Sequence, residues 1–194
     1  MKSAVRAFAV ALLAAWLFPA AAANLDQALI LVARPEVSDQ VFGHTVLVVL
    51  PAGHGQHAGF IVNRPSRVTL GKLFPGYAPS QKLVDPIYMG GPVEPGMIFA
   101  LVHRQASPGG NSFEAMPGLY VAYESAVLDR IMKSDPQHAR FVAGMVIWQS
   151  GELQSEIDLD TWIVLDGDAE LIMRQADGLW DELVRRWQQR GNSI

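Results

Sequence analysis

The sequence predicts a single-domain α/β protein of the mixed α+β kind, and three observations predict it. Apolar stretches rich in β-branched residues recur between turn clusters, as strands do. These runs are nearly continuous instead of alternating, which marks strands buried on both faces. Helical periodicity is concentrated late in the chain, so helices flank the later strands.

The first element is a leader. Lys2 and Arg6 are followed by an unbroken apolar run from Ala7 to Phe18, then Pro19 and four alanines ending at Ala23. A cationic start, a short apolar stretch and small residues form the order of a secretory signal peptide. A membrane-spanning helix needs about 17–25 apolar residues, more than this run supplies. The expectation is a signal peptide over 1–23 and one domain over 24–194, periplasmic or secreted, with no membrane anchor once the leader is cleaved. A mis-assigned start codon would instead leave a cytoplasmic protein.

Strands come next. Leu29–Ala33 ends before Arg34-Pro35, Val46–Leu50 at Pro51, and Phe60–Val62 at Asn63-Arg64-Pro65. Ile98–Val102, Leu119–Val121, Phe141–Ile147 and Trp162–Leu165 complete the set. Ser125 suits the N-cap of a helix carrying Val127, Leu128, Ile131 and Met132 on one stripe, stopped before Pro136. From Ala169 the pattern is helical again, interrupted at Asp177-Gly178. Asp177 is then placed to cap a final helix with Leu179, Trp180, Leu183, Val184 and Trp187 inward. Asp181 with Arg185 and Glu182 with Arg186 form i,i+4 pairs on its outer face.

Charge narrows the partners. The 194 residues carry 15 Lys and Arg against 19 Asp and Glu, a net charge of −4. Loss of Lys2 and Arg6 with the leader leaves 13 against 19, so the mature domain carries −6. An acidic chain without a basic run gives no footprint for nucleic acid. Cysteine is absent, which removes disulfides, thiolate nucleophiles and cysteine-based metal sites.

No catalytic constellation emerges. Gly53-His54-Gly55 and Gly90-Gly91-Pro92 lack the spacing of a phosphate loop or dinucleotide fingerprint. Ser150 lacks the upstream glycine of a nucleophile elbow. His54 and His57 are separated by two residues in a glycine-rich segment that reads as a solvated hairpin loop, and no third metal ligand is nominated. His44, His103 and His138 stand alone. Glu152 and Glu156 share a helix face beside Asp158 and Asp160 and read as solvated acids near a helix start. Asp166-Gly167-Asp168 reads as a turn and helix cap. No metal and no cofactor is expected.

Two polar turns at strand ends remain. Asn63-Arg64-Pro65 and Gly90-Gly91-Pro92 together suggest a small anion or peptide pocket, with Asn63, Arg64, Gly90 and Gly91 as its binding residues and Arg64 as its charge. The competing reading is that these residues only satisfy tight turns.

Ordered blocks carry a family resemblance. Asp39–Val46 followed by Gly59–Pro65, then Tyr88–Val93, then Ala143–Trp148 with Gly151-Glu152-Leu153, Glu156-Ile157 and Trp162, resemble the YqgE/AlgH family over residues 27 to about 187. The resemblance implies a bent, bifurcated sheet that wraps into a pseudo-barrel with helices outside. It implies little about activity: most members have none assigned, and one branch is described as a regulator of alginate production. The family is typically cytoplasmic, so the leader is a departure. Met145-Val146-Ile147 and the segment between Pro65 and Met89 also depart from the family pattern.

The expected function is a non-enzymatic binding or regulatory module of the cell envelope that holds a small ligand or peptide. The alternatives are a hydrolytic or metal-assisted enzyme built on His54, His57 and nearby carboxylates, and a transcriptional regulator by family resemblance.

Overall fold

Ten strands and five α-helices succeed one another in the computed structural model, which describes residues 23–191. The leader expected over 1–23 lies, except for Ala23, outside the described residues. Among the described residues no helix is long and apolar enough to cross a membrane.

The strands are β1 (Leu29–Ala33), β2 (Val46–Gly53), β3 (Gln56–Ile61), β4 (Pro65–Thr69), β5 (Pro86–Met89), β6 (Val93–His103), β7 (Ser112–Met116), β8 (Leu119–Ala122), β9 (Ala139–Trp148) and β10 (Trp162–Asp166). The helices are α1 (Leu70–Leu73), α2 (Ser125–Ser134), α3 (Glu152–Asp158), α4 (Ala169–Met173) and α5 (Leu179–Gly191). One curled sheet runs β10-β1-β2-β3-β9-β6-β8-β7, antiparallel throughout this path. The result is a half-barrel with several helices packed on it.

Every strand expected from an apolar run is present. β1 matches its run residue for residue because both of its faces are buried. Ile30 and Val32 face one core cluster, under α4 and α5, while Leu31 and Ala33 face a second, under α3. A third cluster packs α2 on the outer face of β6, β8 and β9 through Val127, Ile131, Ala100, Val102 and Phe141. Each fully buried aliphatic side chain contributes about 1.5–3 kcal/mol, so these three layers hold the fold.

The unexpected strands are the polar ones. β4, β5 and β7 are half exposed along much of their length, so no apolar run announces them. β3 starts at Gln56, four residues before its apolar run, so the hairpin loop is shorter than the sequence suggested. Ser125 is the first helical residue of α2 and not its cap; Glu124 occupies that position with an extended backbone. Asp168 caps α4 as expected, its carboxylate accepting from Leu171 N at 3.1 Å. α5 begins behind Gly178, whose carbonyl accepts from Glu182 N, and the hydrogen bonds of the described residues include no Asp177 side-chain cap.

The sheet forks on β9. One edge of this strand pairs with β6 along its length. Its other edge pairs first with β5, in parallel, at Val142 and Ala143, and then with β3 at Val146 to Trp148. The two branches part at Gly144, whose φ is +72°. There the backbone of Gly90-Gly91 crosses so closely that a Cβ on Gly91 would lie 2.3 Å from the Met145 carbonyl. A Cβ on Gly144 would lie 2.4 Å from the Gly91 oxygen. Only glycine permits backbones to approach at this distance.

Under α3, Glu156 is not a solvated acid. Its Oε2 accepts from Trp148 Nε1 at 2.9 Å and from Trp162 Nε1 at 2.7 Å, joining β9 to β10. Both indoles are 3% exposed, so each N–H would be an orphaned donor without this carboxylate.

Candidate functional site

The end of β3 and the end of β5 meet as the sequence implied. Arg64 O accepts from Met89 N at 2.8 Å, and Gly90 O accepts from Ile61 N at 2.8 Å. The polar groups of these turns, however, are directed into the protein. Asn63 Oδ1 accepts from Val46 N at 2.8 Å and its Nδ2 donates to His44 O at 2.9 Å. Gly90 N donates to Ala143 O at 2.8 Å, and Gly91 is a spacer at the fork.

Arg64 is tied to the loop that precedes β2. Its guanidinium donates to the carbonyls of Gln40 (3.3 Å), Val41 (2.6 Å) and Gly43 (3.1 Å). That turn is closed from its other side by Asp39 Oδ1, which accepts from Val41 N and Phe42 N at 2.8 Å each. Arg64 is therefore a staple for the loop between β1 and β2. The same staple fixes His44, which takes a left-handed φ of +60°.

Holding the loop in this way opens a cleft of about 360 Å3 beside Asn63 and Pro65. The start of α5 supplies its other wall through Asp177, Trp180 and Asp181. The His44 and Trp180 rings meet edge to face, 4.2 Å between centroids, and Trp180 Nε1 donates to Ala33 O at 2.7 Å. The indole is thus fixed in place. Asp181 does not engage Arg185 through its carboxylate as expected: Arg185 Nε donates to the Asp181 backbone oxygen at 3.2 Å. The expected Glu182–Arg186 pair is made. Two exposed carboxylates and an aromatic wall, with no Lys or Arg among the described residues of the lining, suit a cation better than an anion.

The histidine pair of the β2–β3 hairpin is split. His54 lies at the exposed tip with φ +51°. His57, 6% exposed, is in β3 with Nε2 2.9 Å from Leu25 O, so it is neither solvated nor turned toward His54 as a chelating partner. Among the described residues no group of three His, Cys, Asp or Glu is placed to hold a metal.

One buried cation escaped the sequence reading. Arg140, 6% exposed, heads β9 and donates to the carbonyls of Val62 (2.6 Å), Ile172 (2.5 Å) and Arg174 (2.5 Å). Its guanidinium lies 4.4 Å from the Tyr88 ring centroid. Burial pushes its pKa down from the usual guanidinium value, opposed by Tyr88 and Asp85. The only signal in the sequence was a lone arginine at the head of an apolar run.

Comparison with known proteins agrees with this architecture. The AlgH-like family model, DUF179, matches residues 30–191. A UPF0301 protein of Xanthomonas campestris pv. campestris is 29% identical over 175 residues, covering 85% of this chain and 87% of its own. A UPF0301 protein of Methylococcus capsulatus is 31% identical over 160 residues, covering 80% and 87%. The solution structure of the AlgH protein from Pseudomonas aeruginosa aligns with a TM-score of 0.67 at 24% identity, covering 80% of this chain and 85% of that one. A crystal structure from Corynebacterium diphtheriae aligns at 0.70 and 20% identity, covering 84% and 88%. These two likenesses show the fold, including the curled half-barrel. With the family model spanning nearly the whole described chain, the protein belongs to the AlgH-like family.

Proposed function

We propose that the protein is a non-enzymatic binding module of the cell envelope that holds the cationic group of a small ligand or short peptide in the cleft between the His44 loop and α5. The observation that carries this reading is the fixed aromatic wall of His44 and Trp180 flanked by Asp177 and Asp181. Asn63 lines the cleft and Arg64 sets its loop, while Gly90 and Gly91 hold the sheet fork.

The ligand is weakly held by each contact. An exposed carboxylate gains about 0.2–1 kcal/mol from a cation, and an exposed aromatic face about 0.5–1 kcal/mol. Titration with argininamide, followed by tryptophan fluorescence, is expected to saturate and to weaken with added salt. Asp177→Asn with Asp181→Asn together should weaken it about three- to tenfold. An unchanged affinity in the double variant would remove the cleft as the site.

Support for the envelope comes from the order of charge, apolar run and alanines at residues 2–23. N-terminal sequencing of protein recovered from fractionated cells should find Asn24 as the first residue, in the periplasmic fraction. Met1 retained in cytoplasmic protein would contradict export and leave the binding cleft to be judged by its own titration.

A further inference from the structure

A second cavity lies on the far side of the sheet, between the segment following β4 and helix α2. It holds about 470 Å3, a size suited to a small molecule, and its walls are mainly apolar. Ile98 of β6 and Phe141 of β9 form its floor, with Leu70 and Phe74 on one side and Leu128 and Met132 on the other.

The wall carrying Tyr77 is built rather than loose. Ser80, fully buried, shares its one hydroxyl proton between Phe74 O (2.9 Å) and Tyr77 O (2.7 Å). Gln81 Nε2 donates to Gly71 O at 2.7 Å. These bonds fix the shape of the 70–81 segment itself, so this wall of the cavity is ordered from within.

Tyr77 and Asp129, both in this lining, each carry one side-chain oxygen without a partner among the described residues. Tyr77 OH and Asp129 Oδ1 are both buried and without a hydrogen bond. Asp129 Oδ2 is already engaged by Lys133 Nζ at 2.7 Å, which balances the carboxylate charge. A buried polar atom left unsatisfied costs about 1–3 kcal/mol, so native structures seldom keep two beside one apolar cavity without something to complete them.

The unmet needs define the occupant. The Asp129 oxygen accepts, so the occupant must give a hydrogen bond. Tyr77 offers a hydroxyl proton, so the occupant must also accept one. With Asp129 paired to Lys133, no net charge is called for. An anionic head would face the unpartnered carboxylate oxygen and offer it nothing. We propose that this cavity binds a small neutral amphiphile: an apolar body on the Phe74, Ile98, Met132 and Phe141 surface, with an amide or hydroxyl head between Tyr77 and Asp129.

Octanamide is the probe, with octanoate of the same length as the charged comparison. Octanamide should raise the melting temperature and shift backbone amide resonances of residues 70–81 and 125–134. Octanoate should bind about tenfold more weakly. Tyr77→Phe keeps the wall and removes only the hydroxyl. It should lower octanamide affinity about three- to tenfold without destabilising the free protein, since the hydroxyl it removes has no partner there. The proposal is overturned if the cavity takes only water and octanamide shifts nothing. It is equally overturned if octanoate binds as well as octanamide, or if Tyr77→Phe costs stability and leaves affinity unchanged. None of these results bears on the Trp180 cleft, whose ligand and residues are different.

Discussion

Gly144→Ala is expected to prevent the half-barrel from folding stably, with a loss of at least about 4 kcal/mol. Two costs add at this residue. Its φ of +72° lies in the left-handed region, where a Cβ costs about 1–2 kcal/mol. The added methyl would also lie 2.4 Å from Gly91 O and 2.9 Å from Val93 O, and both are backbone atoms that no rotamer change can move. Relief requires separating β9 from the crossing strand, which breaks the fork. Against a total stability of about 5–15 kcal/mol, the combined penalty is disabling. Gly178→Ala is the control: its φ is +70°, but nothing lies within 4 Å of the added Cβ, so it should cost only the conformational part. Urea denaturation of both variants checks this. Equal losses would mean that the close crossing at the fork contributes nothing.

Arg140→Met should cost about 3 kcal/mol, the second largest effect. Methionine fills a similar volume but gives no hydrogen bond, so the carbonyls of Val62, Ile172 and Arg174 lose their donor together. Each orphaned acceptor costs about 1–3 kcal/mol, offset in part because a buried charge is no longer desolvated. Orphaned acceptors win here because three of them, from the end of β3 and from α4, converge on one side chain. Burial lowers the pKa of Arg140 in the folded state. The unfolded chain therefore holds this proton more tightly, and the penalty persists at every pH below the folded value. Denaturation midpoints of wild type and Arg140→Met at neutral pH check the prediction, and a difference below about 1 kcal/mol would show that the three carbonyls find other donors.

How much of this was readable in advance depended on what each residue faces. β1 and β10 declared themselves because helices cover both faces, α4 and α5 on one and α3 on the other, leaving uninterrupted apolar runs. β4, β5 and β7 did not, since strands with exposed faces carry Ser, Arg, Glu and Thr. The motif blocks supplied the bifurcated sheet, but not its cause: the crossing of Gly91 over Gly144 joins residues far apart in the chain. The same distance hid the partners of Glu156 and Arg64. Glu156 looked solvated because the two indoles that bury it belong to other elements. The staple role of Arg64 was invisible because its acceptors lie in a loop some twenty residues upstream. The cleft itself joins His44 and Asn63 to residues 177–181, a neighbourhood that no local pattern encodes.

The binding claim meets its most direct test in an NMR titration of the 15N-labelled protein with argininamide. The expected shifts are confined to the amides around His44 and Asn63, the start of α5, and the Trp180 indole N–H. Shifts absent from these positions, or a saturable response centred on another face of the sheet, would contradict the assignment of the cleft.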